Sequence, residues 1–71
     1  REPFILLADA PVGHRGRVLR VSDRDPALLR ALEALGIAVS SVVEVTADGV
    51  ELDGERVSLP AGAAEVVWIS A

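Results

Sequence analysis

The sequence predicts a mainly β domain, a small barrel of about five short strands with one helix inserted after the first strand. Three observations predict it. Short alternating or β-branched segments recur through the second half of the chain, Asp-Gly pairs punctuate them, and one leucine-faced segment opened by a proline follows the first strand. Size agrees: 71 residues and 7.4 kDa make one domain, residues 1–71. A chain this short buries only about 60% of the surface its unfolded state exposes, so its core is thin.

Residues 1–16 read as a lead-in and turn. The apolar run Phe4-Ile5-Leu6-Leu7-Ala8 is a docking segment, and Asp9, Pro11, Gly13 and Gly16 end any regular element before Arg17. From Arg17 to Val21, aliphatic side chains alternate imperfectly with arginines, as in a half-buried first strand. Asp23-Arg24-Asp25-Pro26 then offers an acidic N-cap followed by proline at the first helical position, where its missing N–H costs nothing. The helix is expected over about 26–35. Leu28, Leu29, Leu32 and Leu35 form its apolar face, Arg30 and Glu33 lie opposite, and Gly36 supplies the left-handed stop.

A meander follows over 42–59. Val42-Val43-Glu44-Val45-Thr46, Val50-Glu51-Leu52 and Glu55-Arg56-Val57-Ser58-Leu59 are the strands, and Asp48-Gly49 and Asp53-Gly54 are the tight turns between them. Pro60 and Gly62 enclose a short turn with one helical turn over Ala61 to Ala64, and Val66-Val67-Trp68-Ile69 is the closing strand. Short strands with little else must bury one sheet face, and closing the sheet removes its edges. The result is a small SH3-like β-barrel; an open sheet with the helix packed across it uses the same elements.

Composition narrows the function. With 51% apolar and 25% charged residues the chain is globular, and without cysteine it has neither disulfides nor a thiolate zinc site. Seven arginines and no lysine face eleven Asp and Glu, for a net charge of -4, the wrong sign for direct nucleic-acid binding. The longest apolar run, five residues, is far below the ~20 that cross a bilayer. The expectation is a soluble cytoplasmic chain with no membrane insertion. With Phe4 and Trp68 the only aromatics, neither proline-rich peptide grooves nor base-stacking platforms are indicated. No nucleophile has a neighbouring base in the sequence, so no enzyme is expected.

Pro11-Val12-Gly13 with Gly16 before a strand, Leu28-Leu29-Arg30-Ala31-Leu32 leading to Leu35-Gly36-Ile37, and then a strand, a hairpin, Val57-Ser58-Leu59, an alanine-rich turn and a last strand resemble the FeoA-like domain from about Leu6 to Ser70. That family is a small SH3-like barrel with an inserted helix. It occurs as a stand-alone accessory of ferrous-iron uptake and as the C-terminal domain of metal-dependent repressors of the diphtheria toxin repressor family. The stretch Val21 to Arg30 is most similar to the repressor-attached version. Val39-Ser40 stands where such domains commonly carry Pro-Gly, and the hairpin over Asp48 to Gly54 is shorter than usual.

The resemblance implies a DNA-binding and dimerisation body upstream, on which this domain or its dimer mate packs; the alternative partner is a ferrous-iron permease. The chain opens at Arg1 without an initiator Met, and the expectation is a fragment or trimmed chain. No cofactor is intrinsic, but Fe(II) or Mn(II) would be bound through the full-length protein. Some family members lend ancillary ligands from positions that map onto Asp23, Asp25 and Leu28; Leu28 cannot coordinate, which leaves a carboxylate of Asp25 or Asp23.

Each candidate also has a plain role. His14 is a metal-ligand candidate by its imidazole, but one histidine makes no site, and an exposed loop histidine is expected. Asp23 and Asp25 could offer hard oxygen ligands to a divalent cation, but the simpler reading is that one caps the helix and the other sits near its positive end. Arg15, Arg17 and Arg20 could bind acidic groups of a partner or form a solvated face. Trp68 is expected in the core, with an interface anchor as its other role.

Overall fold

Alternation of aliphatic and charged residues sets one wall of each strand inward. In the computed structural model, which describes residues 3–71, these segments form β1 (Phe4–Leu6), β2 (Arg15–Val21), β3 (Val42–Val45), β4 (Gly49–Leu52), β5 (Glu55–Ser58) and β6 (Val67–Ser70), with the helix α1 (Pro26–Ala34) between β2 and β3. Arg1 and Glu2, the start of the expected lead-in, lie outside the described residues. All pairings are antiparallel, in the order β1-β6-β2-β3-β4-β5. The strand beyond the expected five is Phe4–Leu6, so the helix follows the second strand of the chain. Uniform apolarity hid its alternation: Ile5 pairs with the buried Ile69, while Phe4 and Leu6 pair with Ser70 and Trp68 on the outer face.

β2 belongs to both halves of the barrel. Its residues Arg15 to Arg17 pair with β3, and Val18 to Val21 pair with β6. Bending there, the sheet wraps one core, with Val18, Val67 and Ile69 from one half against Val43, Val45 and Val50 from the other. The two ends of the strand order, β1 and β5, are not paired with each other among the described residues. Two 3₁₀ turns, Leu7–Asp9 and Ala63–Glu65, pack together. They bury Leu7 and Ala63 in the core.

α1 drops one leucine into that core. Leu32 is fully buried, Leu28 and Leu29 are half-buried, and Leu35, expected on the same face, is 37% exposed. The physical reason is the stop at Gly36, whose φ of +86° turns the chain so that Ile37 takes the buried place instead. Past the helix, Ser40 has φ +82°, a backbone state that suits glycine, and its N–H donates to the Val18 carbonyl at 2.8 Å. The Ser41 hydroxyl donates to the Gly36 carbonyl at 3.2 Å and accepts from the Ala38 N–H at 3.1 Å. These bonds hold the turn without the Pro-Gly pair.

The two Asp-Gly pairs do different things. Asp53 and Gly54, at φ 52° and 82°, make the two-residue turn between β4 and β5 that matches strand twist. Gly49 instead is already the first residue of β4, contrary to the tight turn expected at Asp48-Gly49. There the glycine answers a close approach: a Cβ would collide with the Val57 carbonyl oxygen on β5.

Candidate interaction surface

The outer face of β1, β6 and β2 is where polar side chains would be expected on a thin barrel. It carries apolar ones. In β6 the inward residues are Val67 and Ile69, which leaves Trp68 pointing out and half-buried, not in the core as expected. The alternation explains this, since a strand whose neighbours at i-1 and i+1 face inward cannot also bury residue i. Leu6 stands directly opposite Trp68 on β1, next to Phe4, which is 54% exposed.

A bulge completes the surface. Between Val18 and Arg20 the β2–β6 register shifts, so the extra residue Leu19 and Arg20 together face Trp68. Arg20 sets its guanidinium over the indole, 5.4 Å from the ring centroid, a stacking worth about 0.5–1 kcal/mol at an exposed site. Phe4, Leu19, Arg20 and Trp68 line a shallow groove of about 210 Å³. Phe4 and Leu19 escaped the sequence reading. The trace was there: the imperfect alternation of Arg17-Val18-Leu19-Arg20-Val21 is the signature of the bulge.

The other candidates lie apart from this groove. Arg17 is exposed, and its backbone N–H donates to Ser70 Oγ at 2.8 Å. Arg15 sits opposite Glu44 on the meander side. His14 is half-buried and not an exposed loop residue, because its Nε2 lies 2.9 Å from the Ser70 carbonyl and ties the start of β2 to the end of β6. Asp25 caps α1, its Oδ1 accepting from the Leu28 N–H at 3.2 Å. Asp23 is exposed between β2 and the cap, where Ser22 Oγ accepts from the Arg24 N–H at 3.3 Å.

These donors do not make a metal site on this chain. His14 precedes β2 and Asp23 follows it, so the seven-residue strand between them puts them about 20 Å apart. Nε2 of His14 and Oδ1 of Asp25 already have partners. Among the described residues no three His, Cys, Asp or Glu side chains are grouped to hold an ion.

Six antiparallel strands in one sheet with an inserted helix define a small SH3-like β domain. The FeoA domain family model matches residues 5–71, and the chain belongs to that family. Among solved structures the chain is similar to a manganese-dependent transcriptional repressor, with 31% identity and a TM-score of 0.89 over 100% of this chain and 43% of the repressor. A structure of a manganese-dependent transcriptional repressor in complex with manganese gives 31% identity and a TM-score of 0.86, covering 38% of that chain. The chain thus spans about two fifths of the repressors it matches. An iron uptake regulatory protein (FeoA) shares the fold at 18% identity and a TM-score of 0.80, over 94% of this chain and 95% of that one. No match was found among curated protein sequences. No helix among the described residues is long and apolar enough to cross a membrane.

Proposed function

We propose that this chain is a non-catalytic regulatory module of an iron- or manganese-dependent transcriptional repressor, packing on the DNA-binding and dimerisation body or on a dimer mate. The observation that carries this reading is the 31% identity to a manganese-dependent repressor over the entire chain, against 18% for the FeoA protein. Its mechanism is linkage. A metal bound in the body favours the conformation to which this domain docks, and docking in turn tightens the metal, through the same coupling free energy. Asp25, or Asp23, would supply an ancillary carboxylate, and the domain itself would not touch DNA. A net charge of -4 supports that division of labour.

A second reading has its own support. The FeoA protein is matched over 95% of its length, so a free-standing protein of this size is a complete unit in that relative, and a cytoplasmic accessory touching a ferrous-iron permease fits that precedent. The encoding reading frame separates the two. About 140 residues with a helix-turn-helix ahead of Arg1 are expected; a frame beginning within a few residues of Arg1 removes the repressor reading. Mn(II) titration of the chain, followed by NMR, addresses the ligands. Line broadening confined to Asp23 and Asp25, reduced in Asp25→Asn while the helix stays capped, is the expected result when the chain is joined to its metal-binding body; indifference there removes both carboxylates as ligands and leaves Asp25 as the helix cap alone.

A further inference from the structure

The protein holds two aromatic residues, and both stand outside the core on the same groove. A thin core would gain most from burying them, since aromatic side chains are its largest source of apolar area. Instead the core is built from Val, Leu, Ile and Ala. The β2 bulge then aims Leu19 and Arg20 at Trp68, although a regular ladder would face only one of them there. An outward Trp, Phe and Arg brought together on one rigid sheet is the composition of a binding hot spot.

Charge selects the occupant. Arg20 is the charged residue among those described that lines the groove, while Arg15 lines the acidic groove of the meander. Among the described residues no acidic one lines the groove, whereas Glu44, Glu51 and Asp53 line a separate one on the meander. The groove is therefore a positive, apolar spot on a negative chain. A second copy seated on it by two-fold symmetry would bring Arg20 toward Arg20, and like charges facing each other oppose that contact. At about 210 Å³ it is smaller than the ~300–1,000 Å³ of small-molecule pockets and matches one or two side chains. A guanidinium held over an indole still offers N–H donors to a carboxylate.

We propose that the groove of Phe4, Leu19, Arg20 and Trp68 docks a short acidic and apolar segment of the repressor body, with a large apolar side chain against Trp68 and a neighbouring carboxylate on Arg20. The identity of that body rests on the repressor reading above; the chemistry of the segment rests on the groove.

Trp68, the sole indole, reports the test through its own emission. The probes are three ten-residue peptides: GSFLDELFSG, its neutral form with Asn and Gln for the two acids, and its basic form with lysine at both. The acidic peptide is expected to shift Trp68 emission to the blue and to bind at least fivefold more tightly than the neutral form, with the basic form weakest. Arg20→Gln should erase the preference among peptides, and Phe4→Ser should weaken the acidic peptide about tenfold. Neither side chain is in the core, and far-ultraviolet circular dichroism confirms that both variants fold. Equal affinity for the three peptides, no shift with any of them, or a peptide-free dimer by sedimentation that Phe4→Ser dissolves would each overturn the proposal. A reading frame without a repressor body would end the repressor reading and leave a positive peptide result standing; a frame with the body and no peptide discrimination would do the reverse.

Discussion

The two halves of the barrel are alike inside and opposite outside. Inward, both are lined by branched aliphatic side chains, valine above all. Outward, the meander half carries a charged row that crosses four strands, Arg15 opposite Glu44, Glu44 opposite Glu51, and Glu51 opposite Arg56, so the one like-charged pair has an arginine on each side. The other half carries Phe4, Leu6, Leu19 and Trp68 at equivalent outward positions. One sheet, bent once, thus keeps a face for water and a face that water suits poorly. The inner face reports what folding requires, and the contrast between the outer faces reports what folding leaves to choice.

The strongest way to break the comparison is to truncate the shared core. Ile69→Ala and Val50→Ala lie in different halves, both fully buried, and each is expected to cost about 2–3 kcal/mol in a single cooperative transition by urea denaturation. Two separate transitions would mean that the halves are independent. Gly49→Ala is next, at about 2 kcal/mol, because the added carbon meets backbone of β5 that cannot swing aside. Its damage should appear as faster amide exchange in β4 and β5, with β1 and β6 little changed.

Ser40→Gly tests the junction between the halves. Relief of the left-handed strain at φ +82° should stabilise the protein by about 1 kcal/mol, raising the melting temperature by about 4–8 °C. The smallest expected effects are on the outer faces, where Arg56→Ala and Phe4→Ser should each change stability by about 0.5 kcal/mol or less. Binding of a hydrophobic dye should nevertheless fall in Phe4→Ser and stay constant in Arg56→Ala. Equal dye binding in the two would erase the distinction drawn between the faces.

Local chemistry made much of this fold legible in the chain. Pro26 with Asp25, the leucine spacing, Gly36 and the alternation around Glu51 each encode their element within a few residues. What could not be read was set by distant partners. Phe4-Ile5-Leu6 is a strand only because β6 lies beside it, and its apolarity on both faces concealed the period. Gly49 looked like a turn residue, and only the nearness of Val57 shows it to be a packing residue. Trp68 was assigned to the core on its size, but the phase of Val67 and Ile69 had already excluded it. The groove needed three strands in register, and no window of sequence contains them.

Leu19 makes β2 one residue longer than the strand it lies against. Removing that residue would turn the bulge into a regular ladder, with Val18, Arg20 and Val21 still opposite Ile69, Trp68 and Val67, and would take one apolar side chain out of the groove. The extra residue therefore adds to the outer face and leaves the inward order of the strand unchanged.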